Sequence, residues 1–348
     1  MGALVNVALH VFAATELFVR ILVTGARGFL GSVLVKQAQE AGWAVSSLDT
    51  DLYIQSGLTP SRSDFRDLQA DELQGYHAIV HLAGISSDAA CDLRSDAATK
   101  VNGSAAAELA QRAKAAGVPR FIFASSCSVY GAAPNRISNE KSECTPISSY
   151  ALAKQRAESG ILAETSTTFA PTVLRLATLY GLSPSLRTDL VVNAMVSSAW
   201  RSGEIALNGT GEQSRPLVHV QDAASAVLDL LKAGEDEVRG QIFNVTDRST
   251  GYSVAHIAEV VRKAVPGSRI VQHHAGEDRR HYLANGTRLH RLCARQPRLL
   301  DAGVAELAGG FRRMDWQRRA AAPESNRAER LRQLLERGKL ADDLRWQD

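Results

Sequence analysis

The chain has 348 residues, 45% of them hydrophobic, and a formal net charge of +3, so it is long enough to bury one large core or two interleaved ones. Its basic residues are spread along the chain apart from an Arg-rich C-terminal third, which leaves no stripe for nucleic acid. Four cysteines without CxxC or paired spacing (Cys91, Cys127, Cys144, Cys293) exclude a disulfide framework and a zinc site, and they fit a reducing, cytoplasmic setting.

Residues 3–14 are apolar but lack a basic leading region, and about 18 apolar residues are needed to span a bilayer. No segment is long enough, so no membrane partner is expected. Residues 1–17 read as a dispensable extension or, with equal weight, as a capping helix. The fold begins with a buried β-branched run at 19–23. A helical pattern over 29–41 follows and stops at Gly42. Strands are expected at 44–48, 78–82, 121–124 and 173–176. Between them lie a long Ala-rich helix over 97–116, ending at Gly117, and a second helix over 150–163. Strand–helix alternation with continuously apolar strands predicts an α/β, Rossmann-type doubly wound parallel sheet covered on both faces.

Beyond Gly181 the pattern is less regular, with helices expected at 189–201 and 254–264, strands at 217–220 and 242–245, and a charged helix at 326–337. No linker separates the halves. The expected division is a dinucleotide-binding domain at 18–180, with a later contribution from about 215–247. A smaller, interleaved C-terminal substrate domain comes from 181–214 and 248–312, and a charged helical tail runs over 313–348.

Between the first strand and first helix stands Thr24-Gly25-Ala26-Arg27-Gly28-Phe29-Leu30-Gly31. Gly25 permits a tight turn, Gly28 lets the backbone approach a pyrophosphate, and Gly31 allows close helix–strand packing, while the helix N-terminus offers unpaired N–H groups. Asp49 closes the second strand, 18 residues after Gly31, where a carboxylate accepts from the adenosine ribose and repels a 2′-phosphate. NAD is therefore expected over NADP, although Arg27 could pair such a phosphate. Asp64 and Phe65 fall where the adenine edge would lie, and Leu82, Ala83 and Gly84 follow a strand ending at the crevice. The plainer readings are that Asp64 caps a helix and His81 is a packed core histidine.

Ser125-Ser126-Cys127-Ser128-Val129-Tyr130-Gly131 follows the 121–124 strand, and Tyr150 and Lys154 open the next helix. Four residues apart, they share a helical face. Tyrosine titrates near ~10 and is a poor base at neutral pH; a lysine and a positively charged nicotinamide both favour phenolate. A serine at the end of the preceding strand can hold the substrate hydroxyl. Tyr150 and Lys154 thus join both the catalytic and the cofactor-binding sets.

With these motifs the chain resembles the extended short-chain dehydrogenase/reductase family, whose members epimerise, dehydrate, decarboxylate or reduce nucleotide-diphosphate sugars. The resemblance spans about 19–307 and includes Val101-Asn102-Gly103, the 175–181 stretch and the 215–220 stretch. It places the catalytic hydroxyl on Ser126, with Ser125 second. It implies a nucleotide-sugar substrate held near Ser126, Cys127, Ser128 and Thr178. Arg215 and Arg280 would grip the diphosphate, and Asn193 would reach the same ligand. Thr178 stands where the family often has Asn. The resemblance also implies a homodimer through the helices near 97–116 and 150–163.

Family 4,6-dehydratases carry Asp-Glu after the catalytic hydroxyl, because eliminating water needs an acid and a base. Here that pair is Cys127-Ser128, which looks more like the 4-epimerases. The expected reaction is removal of the sugar 4-hydroxyl proton by Tyr150 with hydride transfer to NAD, rotation of the 4-keto sugar, and return of the hydride to its other face. A net oxidoreductase such as a 4-ketoreductase would use the same three residues. Cys127 reads as a small buried cysteine, with a proton shuttle at C3 or C5 as the sharper alternative. A non-catalytic dinucleotide sensor is disfavoured by the intact tyrosine and lysine.

Overall fold

Six short runs rich in β-branched and aromatic residues build the central sheet: β1 (Arg20–Thr24), β2 (Ala44–Leu48), β3 (Ala78–His81), β4 (Arg120–Ser126), β5 (Ala170–Leu176) and β6 (Gln241–Val245). The computed structural model describes residues 19–54, 59, 61–132, 136–273, 281–293 and 296–347, with backbone alone at 314–316. The expectations for residues 1–17 and for Arg280 lie outside the described residues. All six strands are parallel, in the order β6-β5-β4-β3-β1-β2. From β1 the chain winds to β2 at one edge and then returns to β3 on the other side of β1. The winding reverses there, so the carboxyl ends of β1 and β3 flank the crevice where such sheets take ligands.

Successive side chains point to opposite faces of a strand, and both faces here are covered. Ile21, Val23, Ile122 and Leu174 pack into one cluster; Leu22, Ile79, Phe121 and Phe123 pack into another. The helices that define the layers are α1 (Gly31–Glu40), α2 (Ser95–Asn102), α3 (Ser104–Ala115), α4 (Ser149–Ala163), α5 (Val191–Ser202), α6 (Val220–Lys232), α7 (Val254–Ala264), α8 (Leu300–Phe311) and α9 (Arg327–Glu336).

The single helix expected over 97–116 is two, α2 and α3, broken at Gly103. A Cβ on Gly103 would lie 2.7 Å from the Thr99 carbonyl, so a side chain there would collide with the preceding turn and the break falls on glycine. The break turns Asn102 inward, where its amide donates to the Ile85 carbonyl and accepts from the Ile85 N–H, both at 2.9 Å. That pair pins the loop following β3. Helix α8 was not expected, because LDAGVAELAGGF carries three glycines and little helix propensity. Packing overrides propensity: a side chain at Gly303 would collide with the Tyr180 ring, and one at Gly310 with Leu182. Together with α5 and α7, α8 encloses a third cluster around Tyr180, Val196 and Ile257.

The tail does not stay with that third cluster. After α9 it runs back over the sheet, and Leu331, Leu334, Leu340 and Leu344 join Leu22, Leu52 and Phe65. Trp346 Nε1 donates to the Thr50 carbonyl at 2.6 Å, and Arg345 pairs with Asp67 at 2.7 Å. Residues near the two ends of the chain thus share one core.

Beneath the end of β4 lies a buried ion pair. Arg175 on β5 grips both carboxylate oxygens of Glu158 on α4, at 2.7–3.2 Å, with both side chains no more than 5% exposed. The Ser125 hydroxyl donates to Glu158, and Arg175 also donates to the Tyr130 hydroxyl at 3.1 Å. Removing one partner would leave the other charge buried alone, a loss of about 3–5 kcal/mol. Glu158→Ala is therefore expected to lower the unfolding free energy by about that amount in chemical denaturation; an unchanged midpoint would mean the network is solvated.

Candidate active site

A cavity of about 830 Å³ opens at the carboxyl ends of β1 and β3, within the size range of small-molecule sites. The glycine loop forms one part of its wall, with Arg27, Phe29 and Leu30 also lining it. Gly25 adopts φ +71°, and a Cβ there would sit 2.7 Å from the Ala83 nitrogen, so the two loops pack backbone to backbone. At Gly28 the nearest atom to such a Cβ is the Gly25 carbonyl at 3.1 Å, leaving its other side open for close approach of a ligand. Gly31 begins α1 directly, which aims a helix N-terminus at the cavity.

The acidic end contains two carboxylates where one was expected. Asp49 accepts the Arg27 N–H at 2.8 Å and the Asp51 N–H at 2.9 Å, one on each oxygen. Burial raises its carboxyl above the ordinary value, and the remaining lone pairs are available to ribose hydroxyls. Asp51, in the left-handed region at φ +59°, holds the Arg27 guanidinium at 2.8 Å. The arginine that could have paired a 2′-phosphate is thereby neutralised, and both carboxylates repel such a phosphate.

Asp64 and Phe65 line the same cavity. Burial alone would raise the Asp64 carboxyl, but hydrogen bonds from Arg66 at 2.6–3.0 Å prevail and hold it below the usual range. Phe65 meets the His81 ring edge-on at 4.6 Å. His81 is fully buried, with Nδ1 2.7 Å from the Thr24 hydroxyl across the β1–β3 pairing; burial pulls its pKa down to about 3. It is a packing and bridging residue. Leu82, Ala83 and Gly84 line the cavity beyond it.

Ser126, Tyr150 and Lys154 converge on this space. The Ser148 hydroxyl caps α4 by accepting from the Ala151 N–H at 3.2 Å, which sets Tyr150 in the first turn. Ser126 ends β4 and accepts from the Ser128 N–H at 3.1 Å and the Ser128 hydroxyl at 2.9 Å. The Ser125 hydroxyl is taken by Glu158, so Ser126 is the serine left to face a ligand. Burial pushes the Tyr150 phenol well above its ordinary pKa, while the Arg187 charge and a hydrogen bond with Ser126 work the other way. Lys154 Nζ donates to the Ala124 carbonyl at 2.8 Å and lies 6.0 Å from the Tyr150 ring centre. Burial brings its pKa down to about 8.

On the substrate side the structure places Ser128, Thr178 and Arg215 in the cavity wall, the last 5.7 Å over the Tyr282 ring. Two expected residues are elsewhere. Cys127 is fully buried, its thiol directed to the Arg175 carbonyl at 3.2 Å and raised far above the ordinary value by burial. It does not line the cavity, which removes the proton-shuttle alternative. Asn193 is also fully buried, and its amide brackets both backbone groups of Gly181 at 2.9 and 3.2 Å. It braces a turn rather than reaching a ligand.

Several cavity residues lie outside every expected set, Arg187, Tyr53 and Arg327 among them. Arg187 is held by Asp189 and donates to Ser86; Tyr53 comes from the loop after β2; Arg327 comes from α9. An Arg-x-Asp pair just ahead of a helix was a visible signal for the first. Nothing in the local pattern marks Tyr53 or Arg327.

A glycine loop on a helix N-terminus, acidic groups after β2, and a serine, tyrosine and lysine around one crevice define a dinucleotide-dependent enzyme site. A family model described as the NAD dependent epimerase/dehydratase family matches residues 21–246. A UDP-glucose 4-epimerase of Mycolicibacterium smegmatis is 31% identical over 324 residues, 84% of this chain and 98% of the relative. A dTDP-D-glucose 4,6-dehydratase of Mus musculus is 27% identical over 244 residues, 65% of this chain and 67% of the relative. Among solved structures, MoeE5 in complex with UDP-glucose and NAD superposes with a TM-score of 0.72 at 26% identity, covering 87% of this chain and 100% of that one. The chain belongs to the NAD dependent epimerase/dehydratase family, and its cofactor is NAD. Among the described residues no helix is long and apolar enough to cross a membrane.

Removing the Asp49 charge is expected to weaken NAD binding by about 1.5–3 kcal/mol and to narrow the preference over NADP. Titration of Asp49→Asn with both dinucleotides checks this. His81 yields a pH dependence: the unfolded chain takes up its proton near 6.5 and the folded protein only near 3, so stability falls as pH drops through that window. Denaturation of wild type and His81→Asn at about pH 7 and about pH 4.5 should show a shallower acid loss in the variant.

Proposed function

We propose that the chain is an NAD-dependent 4-epimerase of a nucleotide-diphosphate sugar, working through a transient 4-keto sugar. The observation that carries this reading is the composition of the turn beside the catalytic serine. The two positions after Ser126 are a core thiol and a hydroxyl bonded to Ser126 itself, so neither supplies the acid and base that elimination of water requires. The mycobacterial epimerase relative supports the same reading and suggests UDP-glucose as the first substrate to try.

NAD bound along the glycine loop supplies the hydride acceptor and, in its oxidised form, a positive charge that favours the Tyr150 phenolate. Ser126 holds the sugar 4-hydroxyl, and Tyr150 removes its proton as the carbinol carbon is oxidised. Lys154, brought toward neutral pH by burial, stabilises the phenolate and keeps the crevice cationic. Arg215 anchors the diphosphate, a suitable partner for a planar paired donor. The ketone then turns about that anchor, and Tyr150 returns the proton after reduction from the opposite face.

Incubation with UDP-glucose and a panel of nucleotide sugars, read by mass spectrometry and by absorbance of reduced nicotinamide, tests this. A product of unchanged mass and altered configuration, with no net consumption of cofactor, is expected. Loss of one water would identify a dehydratase, and stoichiometric use of reduced nicotinamide a ketoreductase. Tyr150→Phe should retain NAD and lose about 10²–10⁴ in kcat; near wild-type turnover would overturn the assignment of the base.

A further inference from the structure

Arg327, the first residue of α9, is only 2% exposed yet lines the same cavity as the glycine loop and Asp49. Its guanidinium donates to the Glu324 carbonyl at 3.0 Å and the Ser185 hydroxyl at 2.8 Å, and it stacks 4.2 Å over the Tyr53 ring. None of these partners is an anion, and among the described residues no carboxylate is paired with it. Arg187, another buried guanidinium of this cavity, is by contrast held by both oxygens of Asp189 at 2.7 and 3.0 Å. Burial and the Arg187 charge lower the Arg327 pKa to about 10, so it remains a cation at neutral pH. A buried cation without a counter-ion is strongly unfavourable. Beside it the Tyr53 hydroxyl is buried with no hydrogen-bond partner. Two desolvated donors therefore face the cavity, and the carboxylates that act on Arg327 through charge, Asp189 and Asp49, already accept from Arg187 and from backbone N–H groups.

We propose that Arg327 binds the diphosphate of NAD, with the Tyr53 hydroxyl as a second donor, and that residues 323–347 form a strap in cis that retains the cofactor. The shared chemistry is a diphosphate, which both NAD and a sugar nucleotide carry; position favours NAD. The Arg327 charge acts on Asp49 at the adenosine end, and its ring partner Tyr53 follows β2. Arg215 lies instead beside Tyr282, from the substrate half. The strap is anchored to that adenosine end. Arg330 donates to the Leu52 carbonyl at 3.2 Å, Trp346 to that of Thr50, and Leu344 itself lines the cavity. This inference rests on NAD occupying the glycine-loop site and not on the epimerase reading.

Full-length wild type, Arg327→Met and Arg327→Lys are loaded with NAD and passed through gel filtration to measure retained nucleotide. ADP, adenosine and UDP then serve as competing ligands, and thermal unfolding is recorded alongside. Arg327→Met should lose its NAD on the column and bind NAD and ADP about tenfold more weakly. Adenosine and UDP should stay within about twofold, and Arg327→Lys should recover part of the loss. Unchanged NAD retention would overturn the proposal. Equal losses for adenosine and ADP would also overturn it, leaving Arg327 a support of the adenosine end. So would a loss confined to UDP, which would assign the cation to the sugar nucleotide. If Arg327→Met does not fold, amide exchange across residues 323–336 of the wild type decides. ADP must slow it more than adenosine does, and equal protection overturns the proposal.

Discussion

The ion pair between Glu158 and Arg175 ties helix α4 to β4 and β5, two strands already paired along their backbones. Through Ser125 it holds the end of β4, through Glu158 the helix that carries Tyr150 and Lys154, and through Arg175 the neighbouring strand β5. Burying such a pair gains little net stability against a well-packed apolar alternative, whereas breaking it is expensive. Its role here is geometric. With Ser125 held from below, the chain presents Ser126 to the cavity and turns Cys127 into the core. The contact braces the end of β4 against the helix carrying Tyr150, alongside the β4–β5 ladder that runs to Ser126 itself.

At the opposite end of the cavity the constraint is charge balance. Asp49, Asp51 and Arg27 form a set whose excess is negative, which suits ribose hydroxyls and opposes an added phosphate. In the same cavity wall, Arg187, Asp189 and Arg327 form a set whose excess is positive. A dinucleotide presents hydroxyls first and a diphosphate next, in the same order. With Arg327 on the diphosphate, the polarity of the wall matches its ligand segment by segment, and Asp51, Arg187 and Arg327 are buried, so their charges act in a low effective dielectric.

Most of the sheet and the cofactor loop were legible because their signals are local. The glycine motif, its flanking strand and helix, and the closing acid lie within the 30 consecutive positions from Arg20 to Asp49, and the Tyr150–Lys154 pair sits within about one helical turn. What was not legible depends on distant partners. The expected 97–116 helix carries no strong breaker; at Gly103 the backbone leaves the helical region, in a conformation that puts a Cβ 2.7 Å from the Thr99 carbonyl. Helix α8 forms against its own propensity, since its glycines pack on Tyr180 and Leu182. The family resemblance implied Cys127 and Asn193 at the ligand, but which side of a turn faces the cavity is decided by partners such as the Arg175 carbonyl and Gly181. Tyr53 and Arg327 have no motif at all, and their meeting spans most of the chain.

That separation has a consequence for the order in which the molecule becomes complete. Chains emerge from the ribosome at about 5–20 residues per second, and Arg327 lies 278 positions after Asp49, so it is delivered roughly 15–60 s later. The glycine loop, both acids and all six strands β1 to β6 are available before then, while the returning tail is not. During synthesis the nascent protein holds an adenosine-accepting half without its closing half, with Leu52 and Phe65 still awaiting the leucines that will cover them. Cofactor acquisition and the last stage of chain collapse are thereby drawn toward the same moment, after the carboxyl terminus leaves the exit tunnel.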